Sequence, residues 1–232
     1  MHRTIRAVAD VIGDILPFAI GIAISPVPLI AVILMLFSGR ARINGPAFLV
    51  GSVLGVTAVT VLALWVADAG DVATDSDAAT GVAWVKLLLG VFLIVLAFRT
   101  WRNRPPPGQD AAMPNWMAAI DGFSPLRAFG SGVLLSSVLN PKNLVLAIGA
   151  GAAIAQANLS GSEDTVVVVV FVALASVSIA GAVLVYLFGG DKAQHLLDGW
   201  KVWLGQNNAT VMSVLLLVMG VLLAGKGFDA FD

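Results

Sequence analysis

The chain has no cysteine. That excludes disulfides, thiolate metal sites and electron relay through a cysteine pair, a chemistry some small six-helix membrane proteins with proline-interrupted helices carry out. Charge is scarce as well: 12% of the 232 residues are Asp, Glu, Lys or Arg, against about a quarter in a soluble domain. Only two histidines occur, His2 and His195. Both fall outside the long apolar stretches, and no carboxylate pair lies within them, so a membrane enzyme is the weakest reading and none is expected. No GxxxxGK[ST] sequence is present, so the chain does not hydrolyse nucleotide itself. With a net charge of −1 and no basic patch, nothing points to nucleic acid. No cofactor or metal is indicated.

What is there is apolar. Hydrophobic residues make up 59% of the chain and mean hydropathy is +0.94. That leaves too little polar surface to cover a water-soluble globule, and far too much apolar mass for disorder. A multi-spanning membrane protein follows. A crossing helix needs about 20 apolar residues, and six stretches provide them, at 11–38, 47–67, 82–101, 127–157, 165–188 and 210–228. Arg3 and Arg6 before the first of these give it the look of a signal peptide, but the run is too long and lacks a small-x-small cleavage site. It is expected to be a retained span.

The connecting loops alternate in charge. Loop 39–46 holds Arg40 and Arg42 without an acid, and 99–127 holds Arg99, Arg102, Arg104 and Arg127 against Asp110 and Asp121. Loop 68–81 holds Asp68, Asp71, Asp75 and Asp77 without a base, and 158–164 holds Glu163 and Asp164. Basic loops stay cytoplasmic, which places the first and third loops inside, the second and fourth outside, and both termini outside. A re-entrant first segment, folded back at its prolines, would put the N-terminus inside instead.

The expected fold is therefore an all-α membrane protein of six transmembrane helices, arranged as two inverted three-helix repeats with proline-broken first helices. Residues 1–102 form the first repeat. Residues 103–126, opening with the polyproline NRPPPGQD, form a cytoplasmic linker with an interfacial helix on which Trp116, Ile120 and Phe123 recur at helical spacing. Residues 127–232 form the second repeat, with a further interfacial helix at 191–206 carrying Leu196, Leu197, Trp200, Trp203 and Leu204. Tryptophans in this setting anchor at the headgroup level.

The repeat shows in two segments, GIAISPVPLIAVILML (21–36) and LLSSVLNPKNLVLAIGAG (134–151). Each is the first span of its half, and Ser25-Pro26-Val27-Pro28 matches Asn140-Pro141-Lys142-Asn143. Halves with an odd number of spans lie in the membrane with opposite orientation, and matching broken helices in such halves point to a central transport site. Proline removes an N–H and frees a carbonyl one turn back. In lipid such groups need protein or a water-filled cavity to satisfy them. The bland reading is proline kinks that serve packing. Against it stands Lys142, well inside an apolar span, because intramembrane charges usually face the bundle interior on a substrate or ion path. No acid lies at comparable depth; the candidate partners are Asn140, Asn143, Ser25, freed carbonyls or an anionic headgroup. The candidate substrate site is thus Ser25, Pro26, Pro28, Asn140, Pro141, Lys142 and Asn143. Gly51 and Gly55 of GSVLG form a GxxxG packing pair, for a dimer or for internal packing. GAGAA (149–153) and Ser176, Ser178 and Gly181 supply further small faces, read as structural. Asp14 and Lys86, at span ends, are read as solvated, and Arg99 and Trp101 as snorkelling.

Three segments, SPVPLIAVILMLFSGRARINGPAFLVGSVLG, the P-W-M-x-x-I-D-x-F-S-P run (114–125) and GSGVLLSSVLNPKNLVLAIGAGAAIA, resemble the glycolipid- or sulfolipid-addressing proteins. This GAP family is a branch of the LysE transporter superfamily. The resemblance implies an inner (plasma) membrane multi-pass protein of two three-helix repeats, linked to moving cell-envelope glycolipids outward. By motif, Ser25, Pro26 and Pro28 match the family's first-helix motif and Asn140 to Asn143 its counterpart; no catalytic residue is implied. The leading expectation is a transporter or transport-assisting protein that exports an amphiphilic, anionic lipid or glycolipid. The alternatives are export of a small solute or cation, as elsewhere in that superfamily, or an assembly protein that recruits a lipid synthase or large exporter. A homodimer is compatible with each.

Overall fold

Where lipid replaces water, backbone groups must find partners within the chain, and helices provide them locally. The computed structural model describes residues 2–71, 76–104 and 120–228, and every regular element among them is helical. In chain order these are α1 (His2–Ala23), α2 (Pro26–Leu36), α3 (Ala41–Asp71) and α4 (Ser76–Arg102), then a single 3-10 turn (Ile120–Gly122). The second half contains α5 (Pro125–Ser136), α6 (Pro141–Gln156), α7 (Gly161–Ala175), α8 (Val177–Phe188) and α9 (Gly190–Phe228). The starts of α2, α5 and α6 share one local grammar: Ser25, Ser124 or Asn140 at the cap, then proline at the first helical position. Proline is well placed there because that N–H has no intrahelical acceptor.

Among the described residues, two helices are long and apolar enough to cross a membrane by themselves, over Ala41–Asp68 and Lys192–Gly225. Three bent pairs qualify together: α1 with α2 at 50°, α5 with α6 at 70°, and α7 with α8 at 58°. The remaining expected crossing, 82–101, falls in α4, several of whose side chains lie outside the description. Large apolar side chains such as Trp65, Phe98 and Phe188 are exposed, a surface suited to lipid. This is an all-helical membrane protein.

Three expectations need correction or restriction. The stretch 165–188, expected as one unbroken span, is bent at Ser176 without any proline. Residues 191–206, expected as a separate interfacial helix, are continuous with the last span in the 39-residue α9. Leu197 and Leu204 are buried along its core face, while Leu196, Trp200 and Trp203 are exposed. Most of the polyproline segment and Trp116 lie outside the described residues. Of the face they were expected to share, Ile120 is buried and Phe123 packs beside it.

The broken spans divide their limbs between two apolar clusters. One gathers Ile15, Ala19 and Ile22 of α1, Leu146 and Ile154 of α6, and Val167 and Phe171 of α7. The other gathers Ile33 and Leu36 of α2, Ala128 of α5 and Ile179 and Val183 of α8. α3 runs through both, with Phe48 in the second and Val56 and Leu64 in the first. The polar Ser52 falls between them in its sequence. Pairing between halves is reciprocal: α3 packs on α5 and α6, and α7 and α8 pack on α1 and α2, while α4 packs along α9.

The α3–α5 crossing explains the glycines of GSVLG. A Cβ at Gly51 would stand 2.1 Å from the Phe129 carbonyl oxygen, one at Gly55 2.7 Å from that of Val133, and one at Gly132 2.2 Å from that of Phe48. No side chain fits there. This GxxxG face therefore seats α5 of the same chain.

Candidate functional site

The three bends bring small polar side chains to one level, between the two apolar clusters. There, Ser25 and Pro28 from the first bend, Ser136 and Asn143 from the second, and Ser176 and Ser178 from the third line one small cavity with Ser52 of α3. Its volume is about 10 Å³, room for the centre of one water molecule and no lipid.

The backbone accounts for how the bends are joined. In a continuous helix the Gly21 carbonyl would accept from Ser25 N–H, but Ser25 N–H turns to Ile22 instead, at 3.0 Å. The freed Gly21 oxygen accepts from Lys142 Nζ at 2.5 Å. The Ala23 carbonyl, two residues on, accepts from the Ser178 hydroxyl. So the carbonyl end of α1 is closed by donors from the second and third bends, and a cation suits that end because the helix dipole is negative there. At the second bend, Asn140 N–H turns to Ser137. The Ser136 carbonyl left over accepts from Asn143 Nδ2 at 3.0 Å. Asn140 Oδ1 caps α6 by accepting from Asn143 N–H at 3.3 Å, while its Nδ2 donates to Ser25 Oγ at 2.9 Å. Ser136 donates to Ser52 Oγ at 2.8 Å, which ties α3 into the same layer.

Placed against the sequence candidates, the outcome is divided. Ser25, Pro28 and Asn143 line the cavity, whereas Pro26, Asn140, Pro141 and Lys142 do not. Pro141 is exposed and acts by the N–H it lacks. Lys142 is 1% exposed, with its ammonium turned to the end of α1 rather than into the cavity. The structure records no ion pair between Lys142 and a described carboxylate. Asn143 Oδ1 is buried without a hydrogen-bond partner. An unmet acceptor at a cavity wall is where a water or a ligand hydroxyl gains most.

Sequence reasoning alone does not single out Ser52 and Ser136, and it assigns Ser176 and Ser178 to packing. The signal available for all four was the same, a small polar residue inside an apolar run. Such residues are common at helix contacts, which is why the pattern did not separate them.

The protein-family model described as Sap, sulfolipid-1-addressing protein, matches residues 15–229. That range takes in all three bends and every candidate residue. No curated protein and no solved structure matches the chain.

Proposed function

The chain belongs to the sulfolipid-1-addressing protein family, and on that footing we propose that it is a multi-pass inner-membrane transporter, or transport-assisting protein, for an amphiphilic, anionic cell-envelope lipid or glycolipid. The observation that carries this reading is the cross-capping of the broken helices: Lys142 and Asn140 of one half hold Gly21 and Ser25 of the other. A site assembled from breaks in both halves opens or closes when the halves rock against each other. A cavity of about 10 Å³ is too small for a headgroup, and admitting one requires those bonds to part. Lys142, released from the Gly21 carbonyl, then presents its ammonium to an anionic headgroup.

Six spans in two inverted three-helix repeats belong to the same reading, as does kinship with the LysE superfamily. The reciprocal pairing of halves supports the repeat. Two contacts support the alternating topology. Asn44 Nδ2 donates to the Phe123 carbonyl at 2.9 Å, which brings the first and third loops together. Helices α3 and α7, which end and begin in the second and fourth loops, also pack on each other. Energy would come from an ion gradient or a partner pump, since no nucleotide-binding motif is present. Transport, rather than catalysis, is the proposed activity.

The test is surface delivery of the family's lipid class in cells carrying Lys142→Ala or Pro141→Ala at equal protein levels. Loss of delivery is expected; delivery at wild-type levels in both variants would sink the central site.

A further inference from the structure

A second, larger pocket lies beside the central layer. It occupies about 500 Å³ between α2, α4 and α9 and is lined by Val27, Leu96, Arg99, Thr100, Asn103 and Asn208, among others. That volume is of the size that holds a small organic ligand. Its walls divide by chemistry, with Val27 and Leu96 apolar, and Arg99, Thr100, Asn103 and Asn208 polar.

We infer that this pocket is a headgroup site for an anionic, hydroxyl-bearing membrane lipid, and that the first turn of α2 is the wall between it and the central cavity. Arg99 sets the sign. Among the described residues its guanidinium has no acidic partner, and its fork of N–H donors matches a phosphate or sulfate group. By itself the carbonyl end of α4 would disfavour an anion; Arg99 in that last turn reverses this. Asn208 supplies the second requirement. Its Oδ1 is buried without a hydrogen-bond partner, and an amide oxygen needs a donor, which a glycerol or sugar hydroxyl provides. The Thr100 hydroxyl already donates to Leu96 O at 2.8 Å, leaving it free only to accept. One headgroup with both an anionic oxygen cluster and hydroxyl donors meets all three residues.

Arg99 stands at the basic end of its span, so the lipid would enter from the cytoplasmic leaflet. The pocket also bears on the central site, because adjacent residues of α2 face the two spaces: Val27 lines this pocket and Pro28 lines the small cavity. The first turn of α2 is held by a long backbone bond, from Leu29 N–H to the Ser25 carbonyl at 3.4 Å. It is the natural element to move when a headgroup passes inward, and this last step rests on the transport reading above.

Native mass spectrometry of the purified full chain in detergent tests the pocket directly. The probes are phosphatidylglycerol, phosphatidylcholine with the same acyl chains, and free glycerol phosphate. Phosphatidylglycerol is expected to bind at least about tenfold more tightly than phosphatidylcholine, with Arg99→Gln removing about tenfold and Asn208→Leu severalfold, the loss of a charge-assisted and of a neutral hydrogen bond. Arg99→Lys should retain part of the preference, and Arg102→Gln, outside the pocket, all of it. Equal losses in Arg99→Gln and Arg102→Gln would reduce Arg99 to a general headgroup contact and overturn the site. So would equal binding of both lipids, or glycerol phosphate binding as tightly as the lipid. The readout is independent of export: a lipid preference lost in Arg99→Gln supports the pocket even if Lys142→Ala delivers normally and the transport reading falls.

Discussion

Asn140 and Ser25, 115 positions apart, share a buried hydrogen bond from Nδ2 to Oγ at 2.9 Å. Each is the cap residue of a helix that begins with proline, so the bond joins the two proline breaks at corresponding points of their motifs. A double-mutant cycle of Ser25→Ala and Asn140→Ala should show a coupling of about 1 kcal/mol, the net worth of a neutral hydrogen bond. Thermal unfolding in detergent measures it. Fully additive effects would mean that the two caps act independently.

Lys142 is expected to trade stability for function. Its buried ammonium has three donors and one protein acceptor, the Gly21 carbonyl, and an apolar isostere removes that desolvation cost. Lys142→Met should therefore unfold at the same temperature as the wild type or higher, while lipid delivery is lost. A destabilisation beyond about 1 kcal/mol would instead make the cap on α1 its main role.

Gly51→Ala puts a methyl group 2.1 Å from the Phe129 carbonyl oxygen. Helices α3 and α5 must separate, at a cost of about 1–3 kcal/mol. A Cβ at Gly181 meets nothing within 4 Å, and Gly181→Ala should be neutral or stabilising by up to about 1 kcal/mol. If Gly51→Ala spared the unfolding temperature but abolished a dimer seen by light scattering, this face would serve association after all.

The start of α7 should respond to acid. Glu163 accepts from both the N–H and the hydroxyl of Ser160, at 2.8 Å each, and these bonds hold its carboxyl below the ordinary 4.5. A depressed carboxylate stabilises the fold fully above its unfolded value and loses that contribution as pH falls through the folded one, so the cap weakens below pH 4.5. Asp164 runs the other way, raised from its ordinary value of 3.8 first by desolvation, then by Asp68 and Glu163. Its protonation relieves strain as pH falls. Amide protection in the first turn of α7, taken relative to the intrinsic exchange rate at each pH, should thus fall in acid in Asp164→Asn, and lose that acid sensitivity when Glu163→Gln is added.

A chain free of cysteine suits topology mapping with single introduced thiols. Ser162→Cys is expected to react with an impermeant reagent added outside intact cells, and Arg40→Cys only after permeabilisation. The reverse pattern would invert the orientation and move the Arg99 pocket to the outer leaflet.

Composition and the chain's prolines carried the membrane class and the first two breaks, because both are local properties. Apolar mass is counted residue by residue, and Pro26, Pro28 and Pro141 lack an N–H whatever surrounds them. Only the tertiary structure decided what the breaks do. Serine ends no helix by itself, so the bend at Ser176 and the donation from Ser178 to the Ala23 carbonyl appear only once α8 packs against the break in the first span. Lys142 could be read as a buried charge, but its acceptor at Gly21 depends on two helices meeting across 121 positions. The last span's reach back to Gly190 was hidden likewise, since tryptophans that suit an interface left no sign that Leu197 and Leu204 continue the core face of α9.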